Sequence, residues 1–289
     1  MKRRQLVTSF ITSLSLSVLA SACSTLGPLT RSGDLPADLP ADPSSELSPD
    51  AATTTTITVS AAASLQDVLE AIAPSFSAAY PNIVVEYNFG ASGALQQQIQ
   101  QGAPADVFFS AASQQMDALA EKEMILSGSR QNIIANGLVL IAPTTTNLTI
   151  TNLTQLSNSN TLKSANIKRF AVGEFRSVPA GQYAEQVLKN LNILDSLQSK
   201  FVFGNNVRTV LSAVESGNAD LGMVYTTDAA LSKRVTVIAA APSSSHAAID
   251  YPAAIVRGTN APKAAQTFIN FLTTEATQQI FEDFGFSRS

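Results

Sequence analysis

From Ile57 onward, short apolar runs alternate with amphipathic stretches. Ile57-Thr58-Val59, Ile83 to Tyr87, Asp106 to Phe109, Leu138 to Ile141, Arg169 to Val172, Leu221 to Tyr225, Val235 to Ile238 and Ala253 to Val256 read as strands. The spacing of Leu65, Val68, Leu69, Ile72 and Phe76 predicts a helix from Ser64 to about Ala79, with one face buried. Further helices are predicted over Ser92–Gln101 (stopped by Gly102 and Pro104), Gln114–Lys122, Pro179–Leu191, Val207–Ser216, Lys263–Leu272 and Glu275–Phe284. A Thr/Asn-rich stretch after Pro143 reads as a linker. Strands alternating with helices predict an α/β fold of mainly parallel sheets covered on both faces. The roughly 230 residues of this body suffice for two such lobes.

The first 56 residues follow a different pattern. Met1-Lys2-Arg3-Arg4 precedes an uncharged run from Gln5 to Ala22, a basic start and a short apolar region as in an export signal over 1–23. The chain's one cysteine ends it, in Leu19-Ala20-Ser21-Ala22-Cys23, which resembles a bacterial lipobox; Ala20-Ser21-Ala22 also fits an A-x-A cleavage site. Residues 24–56 hold Pro28, Pro36, Pro40, Pro43 and Pro49 with no apolar periodicity, and read as a disordered spacer. The expected product is exported to the periplasm or cell envelope and anchored through lipidated Cys23.

Composition narrows the chemistry. One Cys and one His cannot build an ordinary zinc site, and one Cys cannot form an internal disulfide. The net charge of −4 argues against nucleic acid. Loss of Lys2, Arg3 and Arg4 takes 18 basic residues to 15 against 22 acidic ones, a mature balance of −7. Catalytic patterns are absent: there is no G-x-S-x-G elbow, no Gly-Lys-Ser/Thr phosphate loop and no carboxylate pair in a motif, and His246 lies in a polar Ser-rich loop. An enzyme is not expected.

The helix starts carry more information. Ser64 with Asp67 three residues on approximates a capping box, and Ser92 stands among the small residues Gly90-Ala91-Ser92-Gly93-Ala94. Pro179 sits at a first helical turn, and Asn205-Asn206 offers an Asn cap before Val207. Each follows soon after a strand or extended run, and in α/β folds such turns gather where ligands bind. Several helix N-termini converging make an anion site without Lys or Arg.

Five stretches in this order resemble the molybdate-binding extracytoplasmic protein of an ABC transporter, in the type II periplasmic-binding-protein family. They are Val59-Ser60-Ala61-Ala62-Ala63-Ser64-Leu65, Gln101 to Phe108, Ala171-Val172-Gly173-Glu174 with Val178-Pro179-Ala180-Gly181, Gly222-Met223-Val224-Tyr225, and Phe281 to Phe286. The resemblance implies a two-lobed α/β fold with the ligand in a cleft between lobes. Lobe I would comprise 57–138 plus 257–289, and lobe II 139–256 with hinge strands near 138–143 and 250–257. It implies capture of molybdate or tungstate by Ser64, Ser92, Ala180, Val207 and Tyr225. The serines would give hydroxyl and backbone N–H, Ala180 and Val207 backbone N–H alone, and Tyr225 its phenol. Molybdenum would be present only inside the oxyanion, with no direct protein–metal ligand and no cofactor. A membrane permease is the implied partner of a monomeric chain. The alternatives are another tetrahedral oxyanion such as sulfate or, further off, an enzyme on the same fold. Where many relatives have a run of serines, Ala91 and Gly93 flank Ser92.

Overall fold

A computed structural model describes residues 54–148 and 150–289. The expected export signal, Cys23 and residues 24–53 of the expected spacer lie outside the described residues.

The apolar runs form two sheets. The first contains β1 (Thr55–Ala62), β2 (Ile83–Gly90), β3 (Val107–Phe109), β4 (Gln131–Ala135), β10 (Asp250–Ile255) and β11 (Ser287–Arg288), in the order β11-β4-β10-β3-β1-β2. The second contains β5 (Leu138–Pro143), β6 (Phe170–Gly173), β7 (Phe201–Gly204), β8 (Leu221–Tyr225) and β9 (Val235–Ala240), in the order β7-β6-β8-β5-β9. Helices α1 (Gln66–Ala79), α2 (Ser92–Gln100), α3 (Ser113–Ala120), α9 (Pro262–Leu272) and α10 (Glu275–Asp283) belong to the first lobe. Helices α4 (Ser159–Ser164), α5 (Pro179–Asn190), α6 (Leu194–Leu197), α7 (Val207–Glu215) and α8 (Thr226–Leu231) belong to the second.

Strand direction follows from how the chain passes between lobes. In the first sheet β2, β1 and β3 are parallel, β10 runs against both β3 and β4, and β11 against β4. In the second, β7, β6 and β8 are parallel and β5 runs against β8 and β9. Each sheet is thus mainly one-directional, with one inner strand reversed and, in the first, the short edge strand β11 reversed as well. The reversed inner strands, β5 and β10, are the first that the chain lays down after crossing from the other lobe. Asn136-Gly137 is the outward crossing, between β4 and β5, and residues 241–249 are the return. The segment 250–256, expected in the second lobe, therefore falls in the first: Ala253 pairs with Phe109, and Tyr251 with Ile134. An apolar strand fits either sheet by pattern alone, so the sequence cannot say which one it joins.

Hydrophobic burial holds these layers. Val68, Leu69, Ile72 and Phe76 of α1 are buried, as its 3.6-residue spacing predicts. Phe76 meets Phe268 and Phe271 edge-on, with ring centroids 5.3 and 5.2 Å apart. Such a side chain contributes about 1.5–3 kcal/mol by leaving water. The stretch after Pro143 is not a simple linker. Leu153, Leu156, Leu162 and Ile167 are buried there, on a 3₁₀ turn (Leu153–Ser157) and on and after α4. Asn152 with Gln155 closes a capping box on that turn, and Asn158 caps α4. Intervening Thr, Asn and Ser residues hide the apolar spacing in the sequence.

Candidate oxyanion-binding site

Because β1, β2, β3, β6, β7 and β8 all deliver their carboxyl ends toward the space between the lobes, the turns after them meet there. A small cavity lies at that meeting point, lined by Ala62, Ala63 and Ser64 after β1 and Ser92 after β2 on one side. On the other side are Pro179 and Ala180 after β6, Asn206 and Val207 after β7, and Tyr225 at the end of β8. All five residues singled out from the sequence line the cavity: Ser64, Ser92, Ala180, Val207 and Tyr225. All five are buried, none more than 4 % exposed.

Local chemistry explains what each presents. Ser64 lies within a 3₁₀ turn, Ala63–Leu65, that precedes α1. The expected capping box with Asp67 does not form, since neither this turn nor α1 has a side-chain cap. Asp67 instead pairs with Arg208, and the Ser64 hydroxyl lies 3.0 Å from Tyr251 Oη. Ser92 is the first residue of α2 rather than its cap, and its Oγ accepts from the Ala111 N–H at 3.0 Å. Pro179 opens α5 as anticipated, so Ala180 is the second helical residue. Asn206 caps α7 by accepting from Thr209 N–H at 2.9 Å, which makes Val207 the first helical residue. The amides of Ser92, Ala180 and Val207 thus fall among the first-turn donors that a helix cannot bond internally. Those ends also carry partial positive charge.

Tyr225 Oη has no hydrogen-bond partner among the described residues. Burial pushes its phenol well above the usual value, with the Tyr251 phenol beside it adding to the shift, so Tyr225 stays protonated and a donor. A buried donor without a partner costs about 1–3 kcal/mol unless a ligand meets it. No Lys or Arg lines the cavity. The nearest cation in sequence, Arg208, sits one residue past Val207; its Nη2 reaches the Ser64 carbonyl at 3.5 Å, and its charge is met by two carboxylates. Its Nη2 is 2.5 Å from Asp67 Oδ2 in the first lobe, and its Nε is 2.7 Å from Asp228 Oδ1 in the second. Burial pushes the fully buried Asp228 carboxyl up to about 7, against the downward pull of Arg208.

The lobes also touch directly. Gly93 N–H donates to Ser177 O at 3.0 Å, and Gln115 Nε2 to Gln182 Oε1 at 3.0 Å. A side chain at Gly93 would place its Cβ 2.3 Å from Ser177 O. The small residues around Ser92 therefore admit the backbone of the opposite lobe. Nothing in the local sequence singles out Tyr251, Asn136, Arg208 or Asp228. Tyr251 reaches Ser64 across 187 positions, and no local spacing announces such a contact. Among the described residues, no group of His, Cys, Asp and Glu could hold a metal, and no helix is long and apolar enough to cross a membrane.

Comparison with known proteins settles the family. Residues 57–287 match the family described as bacterial extracellular solute-binding protein. The chain belongs to this family. Among its solute-binding relatives is a Bacillus subtilis protein named as an ABC transporter substrate-binding lipoprotein, YvgL. It is 38% identical over 84% of this chain and 91% of its own length. The Escherichia coli protein named Molybdate-binding protein ModA is 38% identical over 80% of this chain and 88% of its own. The solved Azotobacter vinelandii periplasmic molybdate-binding protein superposes with a TM-score of 0.69 at 26% identity, covering 81% of this chain and 99% of that one. The family is described as extracellular, and the chain has the two-lobed architecture expected from its sequence.

Proposed function

We propose that this solute-binding protein captures molybdate, and with it tungstate, outside the cytoplasm and delivers it to an ABC-transporter permease. The observation that carries the reading is a small buried cavity between two lobes, lined by hydrogen-bond donors from both and by no cation. The names of relatives at 38% identity over most of the chain support the same ligand. In this reading Ser64 and Ser92 give hydroxyl and backbone N–H. Ala180 and Val207 give backbone N–H, and Tyr225 gives its phenol O–H. Neither a catalytic residue nor a cofactor is called for, and the chain acts as a monomer.

The physics favours a fully deprotonated tetrahedral dianion. The five groups assigned to the ligand are offered as donors, so a ligand proton is poorly matched there. Hydrogen phosphate carries such a proton, and a mispaired buried polar group costs about 1–3 kcal/mol. An anion that contacts both lobes binds the closed arrangement better than the open one and shifts the population toward it. Closure would then present the face that a permease reads.

Calorimetric titration with molybdate, tungstate, sulfate and phosphate tests the reading. Molybdate and tungstate are expected to bind tightly and phosphate not at all. Sulfate binding as tight as molybdate would overturn the ligand assignment and favour a general oxyanion carrier. The proposed anchor is Cys23, supported by its lipobox-like setting and by the lipoprotein name of the Bacillus relative. Incorporation of a fatty-acid analogue in cells, lost in Cys23→Ser, is the expected result.

A further inference from the structure

We infer that Tyr251, held by Asn136, is a positioning residue that fixes the direction of the Ser64 hydroxyl and so makes the cavity reject protonated anions. The inference rests on the oxyanion-capture reading and adds to it a residue that fixes specificity without touching the anion.

The direction of each hydrogen bond follows from the chain of partners. Asn136 Oδ1 accepts from the Gly137 N–H at 2.8 Å, which fixes the orientation of the Asn136 amide. Its Nδ2 therefore carries two protons outward, one to Thr227 Oγ1 at 2.9 Å and one to Tyr251 Oη at 3.3 Å. Tyr251 Oη is thereby an acceptor from Asn136. Tyr251 is fully buried, and its other hydrogen bond joins it to Ser64 Oγ at 3.0 Å. A buried phenol proton without an acceptor would be costly, so Tyr251 donates to Ser64 Oγ. Ser64 then has its oxygen engaged and its own proton released toward the cavity that it lines.

Ser92 reaches the same state by a shorter route. Its Oγ accepts directly from the Ala111 N–H, which frees its proton in turn. One serine is thus set by a backbone amide, which cannot turn around. The other is set by a relay whose first donor is an amide fixed by the crossing between the lobes. In each hydroxyl one of two lone pairs is engaged and the proton is left to give, so both are biased toward donating. That polarity favours a bare dianion over a protonated oxygen of phosphate or arsenate.

The substitution Tyr251→Phe keeps the ring, which packs edge-on against Tyr225 and Phe286 at 5.7 Å, while removing the hydroxyl. Ser64 becomes a free rotor that can accept. Molybdate affinity is expected to fall only about threefold, because Ser64 keeps its proton and loses only its orientation, while hydrogen phosphate gains, so that the molybdate-to-phosphate ratio narrows further than molybdate alone weakens. A second variant, Asn136→Asp, turns the first donor into an acceptor. Tyr251 would then donate to residue 136 and Ser64 to Tyr251, and molybdate should weaken more than in Tyr251→Phe. The experiment is calorimetric titration of wild type and both variants with molybdate and with phosphate at mildly alkaline pH. Loss of phosphate rejection in Tyr251→Phe supports the relay, because a merely structural role would weaken both anions alike. Unchanged molybdate affinity and unchanged phosphate rejection in both variants would overturn it. A wild type that takes neither anion would instead overturn the capture reading itself, and the relay with it.

Discussion

Single residues set the chemistry of the cavity through protons rather than charges. Tyr225 is the sharpest case, a buried phenol with no partner among the described residues and a proton it cannot lose near neutrality. Tyr225→Phe should weaken molybdate binding about tenfold in calorimetry and leave the thermal midpoint unchanged or higher, since the unpaired donor costs the ligand-free fold. Ser92→Ala should likewise weaken binding, while also leaving the Ala111 amide unpaired. Asp228 gives a prediction in pH. Its folded-state carboxyl sits near 7, above the usual value of 3.8, so the folded chain holds that proton more tightly than the unfolded chain does. Its contribution to stability is therefore greatest below the unfolded value and is lost as pH rises toward 7. The thermal midpoint of Asp228→Asn, measured against wild type, should rise between pH 4 and pH 8. A difference that stays flat or falls would contradict the burial argument.

At the level of elements, helix starts act as the reading heads of the fold, and most were legible in the sequence. Pro179 and the Asn206 cap stand where their residue types argue, because first-turn chemistry is local. The capping box at Ser64 failed for the opposite reason: Arg208, 141 positions further on, draws Asp67 away from the helix end. The same limit hid β4 and β7. Gln131-Asn132-Ile133-Ile134-Ala135 offers two consecutive buried apolar residues and no alternation. Strand β7 lies at a sheet edge, where Phe203 is 53% exposed, so its burial does not follow a core pattern. Gly93 carries the element-scale prediction. As a residue inside α2 it should accept Ala with no loss of helix stability, and even a gain of about 0.5–1 kcal/mol. Yet the added Cβ meets Ser177 O at 2.3 Å. Gly93→Ala should keep or raise the melting temperature while weakening molybdate binding about tenfold or more, a split that only a contact between lobes explains.

For the whole molecule, the lobes are joined by an ion pair as well as by the ligand. Arg208, seated on Asp228 in its own lobe, reaches Asp67 in the other. This pair is partly exposed, so its worth is modest, of order 1 kcal/mol. Asp67→Asn should speed molybdate dissociation about threefold to tenfold in stopped-flow displacement and leave association nearly unchanged. Unaltered dissociation would mean the pair contributes nothing to closure. The two-sheet plan was readable from the alternation of strands and helices. The lobe to which the 250–256 strand belongs was not, because apolar strands are interchangeable by pattern and only pairing decides among them.

That pairing also orders the assembly of the chain. The second lobe is one continuous stretch between the crossing at Asn136-Gly137 and the return at 241–249, so all its strands are available as soon as β9 has been made. The first lobe is split: β1 to β4 come early, but β10 fills the gap between β3 and β4, and α9 and α10 come last. A nascent chain that stops short of β10 holds a finished second lobe beside a first sheet with two raw inner edges. Those edges stay open to aggregation until the last forty residues arrive, about a seventh of the chain.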